Sequence, residues 1–392
     1  MNYVTAGESH GPWEIAVIEG IPAGLKITTE DVNIQLKRRQ IAYGRSNRLN
    51  IENDQVHFLS GIRHQKTIGS PISLAVKNKD HANWNKIMAP DIPATKDNTS
   101  RRVLRPRPGH ADLVGAFKYR EKSDLRNVLE RSSARETTMR VAVGAVVKKL
   151  LQELGIEVHG FVSQLGSVVT PIKEIEKYSD LPSLSKVTES FLTRTIDKKT
   201  DQEMQQAIDI AKKEGDTLGG TVLVLATGVP AGLGSYVSGS TKLDAKIAQA
   251  IISINAFKGV DFGSGFNAID QKGSQLMDEI FWSPRRGFYR ATNHLGGFEG
   301  GMTTGEMIVV RGLVKPIPTL YRPLHSVDIN THQEHSASIE RSDTTAVTAG
   351  AVIAETMVAI ELARAILDQF DDSSVFRLKE QLANYRMEIR DF

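Results

Sequence analysis

The 392-residue chain is 40% hydrophobic and 24% charged, the balance of a folded globular protein, which excludes a disordered chain, a collagen and a coiled coil. Its 49 Lys+Arg against 46 Asp+Glu leave a net charge of only +3, too little for a surface that must hold a polyanion, so any basic site is local. With no cysteine, a disulfide framework, thiolate catalysis, zinc fingers and iron–sulfur ligation are ruled out.

In chain order, the start carries no basic stretch followed by an apolar one, so the expected compartment is the cytoplasm. Apolar runs bounded mostly by Gly or Pro predict strands over 13–18, 56–59, 72–76, 220–226 and 307–313. Helical patterns fall over 29–39, with Thr28 or Thr29 as cap, and over 137–154, 202–213, 242–254 and 344–370. The most apolar stretch, 346–367, is interrupted by Glu355, Glu361 and Arg364, which makes it a buried helix and not a membrane span. The polar region 173–199 reads as an excursion joining two halves.

Those halves resemble each other. Gly7-Glu8-Ser9-His10-Gly11 aligns onto Gly215-Asp216-Thr217-Leu218-Gly219, and Gly20-Ile21-Pro22-Ala23-Gly24-Leu25 onto Gly228-Val229-Pro230-Ala231-Gly232-Leu233, at a constant offset of 215 − 7 = 208. Further on, Arg107-Pro108-Gly109-His110 resembles Arg322-Pro323-Leu324-His325, and Arg131-Ser132 resembles Arg341-Ser342, each of the latter pairs preceding a long helix. The ordered series argues for internal duplication, with halves of about 1–172 and 200–370, against the alternative of recurrent turn chemistry. The expected fold is α+β: one large domain over 1–392, a pseudo-twofold β-α-β sandwich with long central helices between antiparallel sheets.

Arginines cluster at Arg38, Arg39, Arg45 and Arg48, at Arg101, Arg102, Arg105 and Arg107, at Arg131, Arg135 and Arg140, and at Arg285, Arg286 and Arg290. Guanidinium groups in Gly- and Pro-rich loops suit bidentate capture of phosphates and carboxylates, so a fold that converges them binds a small multiply anionic ligand. A solvated surface and a nucleic-acid groove are the rivals, the second weakened by 6% aromatics and no recognition signature. His10 and His110 stand in tight turns beside these candidates, where a protonated imidazole can serve as general acid. Leu218 at the position of His10 in the other half shows that the turn itself does not demand histidine. The run from Arg131 to Thr138 leads into a long helix and offers hydroxyls and backbone N–H groups to a phosphate, or a plain N-cap. Gly263-Ser264-Gly265-Phe266-Asn267-Ala268 has the letters of a dinucleotide fingerprint, but no adequate strand is expected before it and no helix inside it. His332, Glu334, His335 and Asp328 match no standard metal spacing, and no metal is expected.

Taken together, Gly7-Glu8-Ser9-His10-Gly11, Arg107-Pro108-Gly109-His110-Ala111-Asp112, Arg131-Ser132-Ser133-Ala134-Arg135-Glu136-Thr137, Gly296-Gly297-Phe298-Glu299-Gly300-Gly301, Lys315-Pro316-Ile317-Pro318-Thr319 and Arg341-Ser342-Asp343 resemble the chorismate synthase family. The resemblance runs from residue 3 to about 368. It implies a carbon–oxygen lyase of the shikimate pathway that eliminates phosphate from 5-enolpyruvylshikimate 3-phosphate to give chorismate. It also implies a requirement for reduced FMN (FMNH2) without net redox change, and a usual assembly as a homotetramer without nucleic acid or membrane. On this resemblance the catalytic residues are His10, His110 and Asp343. Flavin contacts fall on Arg131, Ser132, Ser133, Asn255, Ala256, Gly300, Lys315, Pro316, Ile317, Pro318, Thr319 and Arg341. Arg39 and Arg45 match positions linked to NADP, and Arg48, Arg107 and Arg135 match positions for the substrate anions. Some members of the family reduce their own flavin with NADPH and others depend on a separate reductase; the sequence does not separate the two. An RNA-binding protein indifferent to flavin is the rival reading.

Overall fold

A computed structural model describes residues 1–44, 54–172, 180–340 and 342–392. Strands β1 (Asn2–Ala6) and β2 (Trp13–Glu19) pair antiparallel, and β2 alternates exposed and buried residues, the period of two of a sheet with one covered face. Helix α1 (Thr29–Gln40) starts at Thr28, whose hydroxyl accepts from the Asp31 N–H while the Asp31 carboxylate accepts from the Thr28 N–H. Strand β3 (Val56–Phe58), the small hairpin β4 (Ile62–Arg63) and β5 (Lys66–Thr67), and strand β6 (Ile72–Lys77) follow, and the first sheet has the antiparallel order β1-β2-β6-β3. Helices α2 (Asp112–Tyr119), α3 (Arg126–Ser132) and α4 (Thr137–Glu153) close this half.

The second half runs β7 (Glu157–Leu165), β8 (Val168–Val169), α5 (Leu181–Glu189), α6 (Lys198–Glu214), β9 (Gly220–Thr227), α7 (Leu243–Ile252), β10 (Phe257–Phe262) and the single turn α8 (Gly273–Leu276). Hairpins β11 (Ile280–Ser283) with β12 (Gly287–Arg290) and β13 (Phe298–Glu299) with β14 (Met302–Thr303) precede β15 (Ile308–Val314). Hairpin β16 (His325–Val327) with β17 (Glu334–Ser336) and helices α9 (Val347–Gln369) and α10 (Val375–Asp391) complete the chain. The second sheet is antiparallel in the order β10-β15-β9-β7-β8.

Helix α4 touches β2 and β6 on one side and α9 on the other, while α9 lies on β7 and β9. Neither helix therefore shows one apolar stripe: α9 is buried along nearly its whole length, Glu355 included, because it has protein on every side. The two helices approach closely at Gly144, where a Cβ would lie 2.1 Å from Thr356 Cγ2, so even alanine forces them apart. One contiguous apolar cluster extends from Ile18 and Leu74 of the first sheet through α4 and α9 to Val222 and Val310 of the second.

Two turns of identical construction cap the two sheets. Thr67 Oγ1 donates to Pro22 O at 2.6 Å and accepts from Leu25 N at 2.9 Å; Thr303 Oγ1 donates to Pro230 O at 2.6 Å and accepts from Leu233 N at 2.9 Å. Both threonines are buried, so each hydroxyl satisfies two backbone groups that water cannot reach.

Several expectations change. A strand, β10, does stand before Gly263, but only a four-residue 3-10 turn (Gly265–Ala268) follows it, in an antiparallel sheet. The polar region 173–199 contains helix α5, capped by Asp180. Strands β1 and β7 and helix α10 were not expected. Among the described residues, no helix is long and apolar enough to cross a membrane. Arg45, Arg48 and Arg341 lie outside the described residues.

Candidate active site

The turn between β1 and β2 carries His10, and α3 supplies its partner. Glu130 accepts from both the backbone N and Nδ1 of His10, each at 2.8 Å, and from Arg126 Nη1 at 3.2 Å. Burial pushes the Glu130 carboxyl up, but the hydrogen bonds and charge of His10, with the charge of Arg126, outweigh it and hold the group below its ordinary value. A carboxylate fixed on Nδ1 sets the ring orientation and leaves Nε2 for a ligand. The indole of Trp84 lies 3.9 Å from the His10 ring, centroid to centroid.

His110 sits in the turn before α2 in a matching arrangement. Its Nδ1 lies 2.6 Å from Asp112 Oδ1, and Asp112, wholly buried, also accepts from Arg107 N, Nε and Nη2. Burial pushes the Asp112 carboxyl up, yet hydrogen bonds from His110 and Arg107 outweigh that and hold it well below the usual carboxylate range. Arg107, expected to face substrate, is thus buried beside His110 and braces it, its Nη1 donating to Thr319 Oγ1 at 2.9 Å.

Hydrogen bonds join the two histidine sites. Arg131 donates to Gly7 O, Thr5 O and Thr5 Oγ1, and Ser133 donates to Ser9 Oγ. Asn255 Nδ2 donates to Ser132 O at 2.8 Å, and Lys315 N donates to Ala256 O at 2.9 Å. Ala256 has φ +72, a left-handed backbone that a residue with a Cβ adopts only under local constraint. The segment from Lys315 reaches Thr319 and so Arg107 and His110. Arg131, Ser132, Ser133, Asn255, Ala256, Lys315 and Thr319 therefore share one region, with Pro316, Ile317 and Pro318 between the last two. Pro318 Cβ and Lys315 Nζ are the groups that border Gly109.

Among the described residues, two cations here, Arg131 and Lys315, form no salt bridge with a carboxylate. Arg131 donates to carbonyl and hydroxyl oxygens, and Lys315 Nζ to Pro316 O at 3.4 Å. Burial, then repulsion from Lys258, pushes the Lys315 ammonium down, so an anion placed there relieves an unfavourable charge.

Other expected residues lie elsewhere. Arg135 places both terminal nitrogens on Asp54 at 2.8 Å, and Arg39, 4% exposed, bonds to Thr137 Oγ1 and Ala134 O with Asp54 4.0 Å away. A ligand phosphate reaches Arg39 only if these groups yield. Gly300 is at the tip of the β13–β14 hairpin beside Tyr236, near the start of α7, whereas Asn255 and Ala256 follow the end of that helix. Asp343 is half-buried before α9; its neighbour Thr344 bonds to Gly44 O and Leu218 N, and Thr217 donates to Ile317 O, which ties this turn to the Lys315–Thr319 segment.

Sequence reasoning missed Glu130, Trp84 and Asp54 as parts of the site. Only Glu130 left a local sign, the i,i+4 spacing from Arg126 that forms an ion pair within α3. It also missed Glu14, 1% exposed in β2 and pushed up to about 7 by burial, against the charges of Arg135 and Arg131.

The family described as chorismate synthase matches residues 1–367. The chorismate synthases of Leuconostoc mesenteroides and Leuconostoc citreum are 67% and 66% identical to this chain over 392 residues, covering all of both sequences, and that of Bacillus subtilis is 54% identical over 395. A crystal structure of a chorismate synthase superposes with a TM-score of 0.79 at 37% identity, covering 100% of this chain and 98% of that one. With whole-length identity of this order and a matching fold, the chain belongs to the chorismate synthase family.

Proposed function

We propose that this protein eliminates phosphate from 5-enolpyruvylshikimate 3-phosphate to give chorismate, with reduced FMN bound at Arg131–Ser133, Asn255–Ala256 and Lys315–Thr319. The observation that carries the reading is a continuous hydrogen-bonded region with a carboxylate-held histidine at each end and two cations, Arg131 and Lys315, that among the described residues form no salt bridge. These residues fit a phosphorylated cofactor beside an anionic substrate: the cations and the Ser133 hydroxyl are donors, and Lys315 gains from a negative neighbour. Reduced flavin, when bound, supplies transient electron donation that eases C–O cleavage and is returned at the end of the turnover.

The chain's own residues do the rest. His10, turned by Glu130 so that Nε2 is available, donates a proton to the departing phosphate. His110, held by the ionised Asp112 and by Arg107, keeps a proton at the flavin end of the region. Asp343 accepts the proton that leaves the substrate. Arg131 and Lys315 hold anions in place, and positioning of this kind can supply several kcal/mol of the barrier.

We also read the chain as one domain formed by internal duplication. Gly20 and Gly228 have φ +77 and +75, Gly24 and Gly232 +91 and +86, and the Thr67 and Thr303 turns bond alike. A homotetramer would cover the outer face of the first sheet, where Val4, Trp13 and Ile15 are exposed side by side.

The test is flavin dependence. Anaerobic protein with dithionite-reduced FMN is expected to release phosphate and chorismate, whereas oxidised FMN gives a bound but inert complex. Equal turnover with oxidised flavin, or with none, rules the mechanism out. Flavin-independent, salt-steep binding of RNA would support the rival instead.

A further inference from the structure

The segment after β6 clasps the His10 turn at three points. Asn78 Nδ2 donates to Ser9 O and Gly11 O, His81 Nδ1 donates to His10 O at 2.9 Å, and Trp84 sets its indole against the His10 ring at 3.9 Å with an interplanar angle of 34°. Trp84 is itself fixed. Its backbone N donates to His81 O, its side chain is nearly buried, and the guanidinium groups of Arg101 and Arg126 lie 4.2 and 4.8 Å from the ring centroid. Arg126 also holds Glu130, so the residue that clamps Nδ1 and the residue that backs the ring plane are tied together.

We infer that Trp84 is a positioning residue for His10: Glu130 fixes where Nδ1 points, Trp84 fixes the plane of the ring, and together they aim Nε2 at one place. A hydrogen bond at a single atom leaves an imidazole free to tilt about that bond, and a flat aromatic face removes the remaining freedom. The indole π cloud attracts positive charge, as its contacts with the guanidinium groups of Arg101 and Arg126 show, and so can back a cationic imidazole. The charged and titratable groups around the ring are Glu130 and Arg126 from α3, Arg101 from the preceding loop, and His81 from the clasp. This inference rests on the reading of His10 as the acid of the proposed reaction.

The experiment uses the full chain with reduced FMN and compares Trp84→Leu, Trp84→Phe, His10→Ala and the His10→Ala/Trp84→Leu double variant. Trp84→Leu is expected to lower kcat roughly 10–100-fold, the cost of a misplaced catalytic group, with KM changed less than about twofold. Trp84→Phe, which keeps a flat ring, is expected to restore most of the rate. In the His10→Ala background Trp84→Leu should cost nothing further, because a positioning residue has no effect once the group it positions is gone. An unchanged kcat in Trp84→Leu, or the same fold-loss in both backgrounds, overturns the inference. His10→Ala at full rate sinks the reading of His10 itself; a slow His10→Ala beside a fast Trp84→Leu sinks only this one. Where Trp84→Leu fails to fold, emission of Trp84 in a Trp13→Phe/Trp282→Phe chain decides the contact. It should rise when His10→Leu removes the stacked imidazole, and unchanged emission overturns the contact.

Discussion

Lowering the pH from 7.5 to 5 should destabilise this protein through one buried histidine. His159 of β7 is 3% exposed; its Nε2 pairs with Thr188 Oγ1 at 2.7 Å and its Nδ1 lies 3.5 Å from Glu355 Oε2. A glutamate that close would ordinarily favour a charged imidazole. Here Glu355 already serves Arg38 through both oxygens, Lys148, and the Gly160 N–H, so its charge is spent. Burial therefore dominates and, although Glu355 opposes it, pushes the imidazole down to about 4 from an ordinary 6.5, with the positive charges of Arg38 and Lys148 adding to the fall. Between those values the unfolded chain binds a proton that the folded one refuses, so stability is complete above about 6.5 and is lost as the pH falls toward 4. Going from pH 7.5 to 5 spans most of that window, and the linkage integral gives a loss of about 2 kcal/mol for this single group. Urea unfolding at fixed protein concentration across that range, on the wild type and on His159→Gln, isolates it. The difference between the two curves should shrink by about 2 kcal/mol on acidification, because glutamine has no proton to take up. Parallel curves would refute the assignment, whatever constant offset the substitution introduces.

Glu14 carries the opposite sign: its folded value near 7 is raised, so its contribution is present at low pH and is lost as the pH rises through 7. Glu14→Gln should accordingly gain on the order of 2 kcal/mol relative to wild type between pH 5 and pH 8, measured by the same unfolding curves, and a pH-independent difference would exclude it. Asp343→Asn should melt normally and bind flavin and substrate nearly as before, with kcat down by about two orders of magnitude, since Asp343 is not the cap of α9, whose N-cap is Ala346, and asparagine keeps its shape but accepts no proton. A fast, stable Asp343→Asn enzyme would remove Asp343 from the mechanism.

Much of the fold was legible because its determinants are local. The apolar run over 13–18 and the candidate cap Thr28 lie within a few residues of the elements they specify, and β2 and α1 begin where expected. Strand β1 was not legible because Asn2-Tyr3-Val4-Thr5-Ala6 buries little on either face and is a strand mainly through its pairing with β2. Helix α5 hid in a polar stretch whose buried positions, Leu181, Leu184 and Thr188, include only two apolar side chains. The match between Thr67 and Thr303 also escaped notice, for its offset is 303 − 67 = 236 and not 208. If the halves are copies, the second inserts residues between its glycine turn and its hairpin, and a search at constant offset passes over it.

The candidate site was legible in the sequence through its histidines and arginines but not through what orients them, since orientation comes from residues far away in sequence. Glu130 is 120 positions from His10, and Arg38 is 317 from Glu355. In an apolar helix such as α9 a glutamate registers only as an interruption, although its burial requires cations to meet it. On the duplicated reading there is a way to find such residues from sequence alone. Corresponding positions share a backbone, so any charged or titratable side chain present in one copy and absent from the other is there for something the backbone does not need. By the Arg131 and Arg341 alignment, whose offset is 341 − 131 = 210, Glu355 corresponds to Ala145, Asp343 to Ser133, and, at the earlier offset, His10 to Leu218. Each of these is a place where one half carries a charge or a proton and the other does not. Two of them were assigned to chemistry and the third holds the ion cluster between α1, α4, β7 and α9. On that reading the symmetry accounts for the frame, and the departures from it mark where the frame has been put to use.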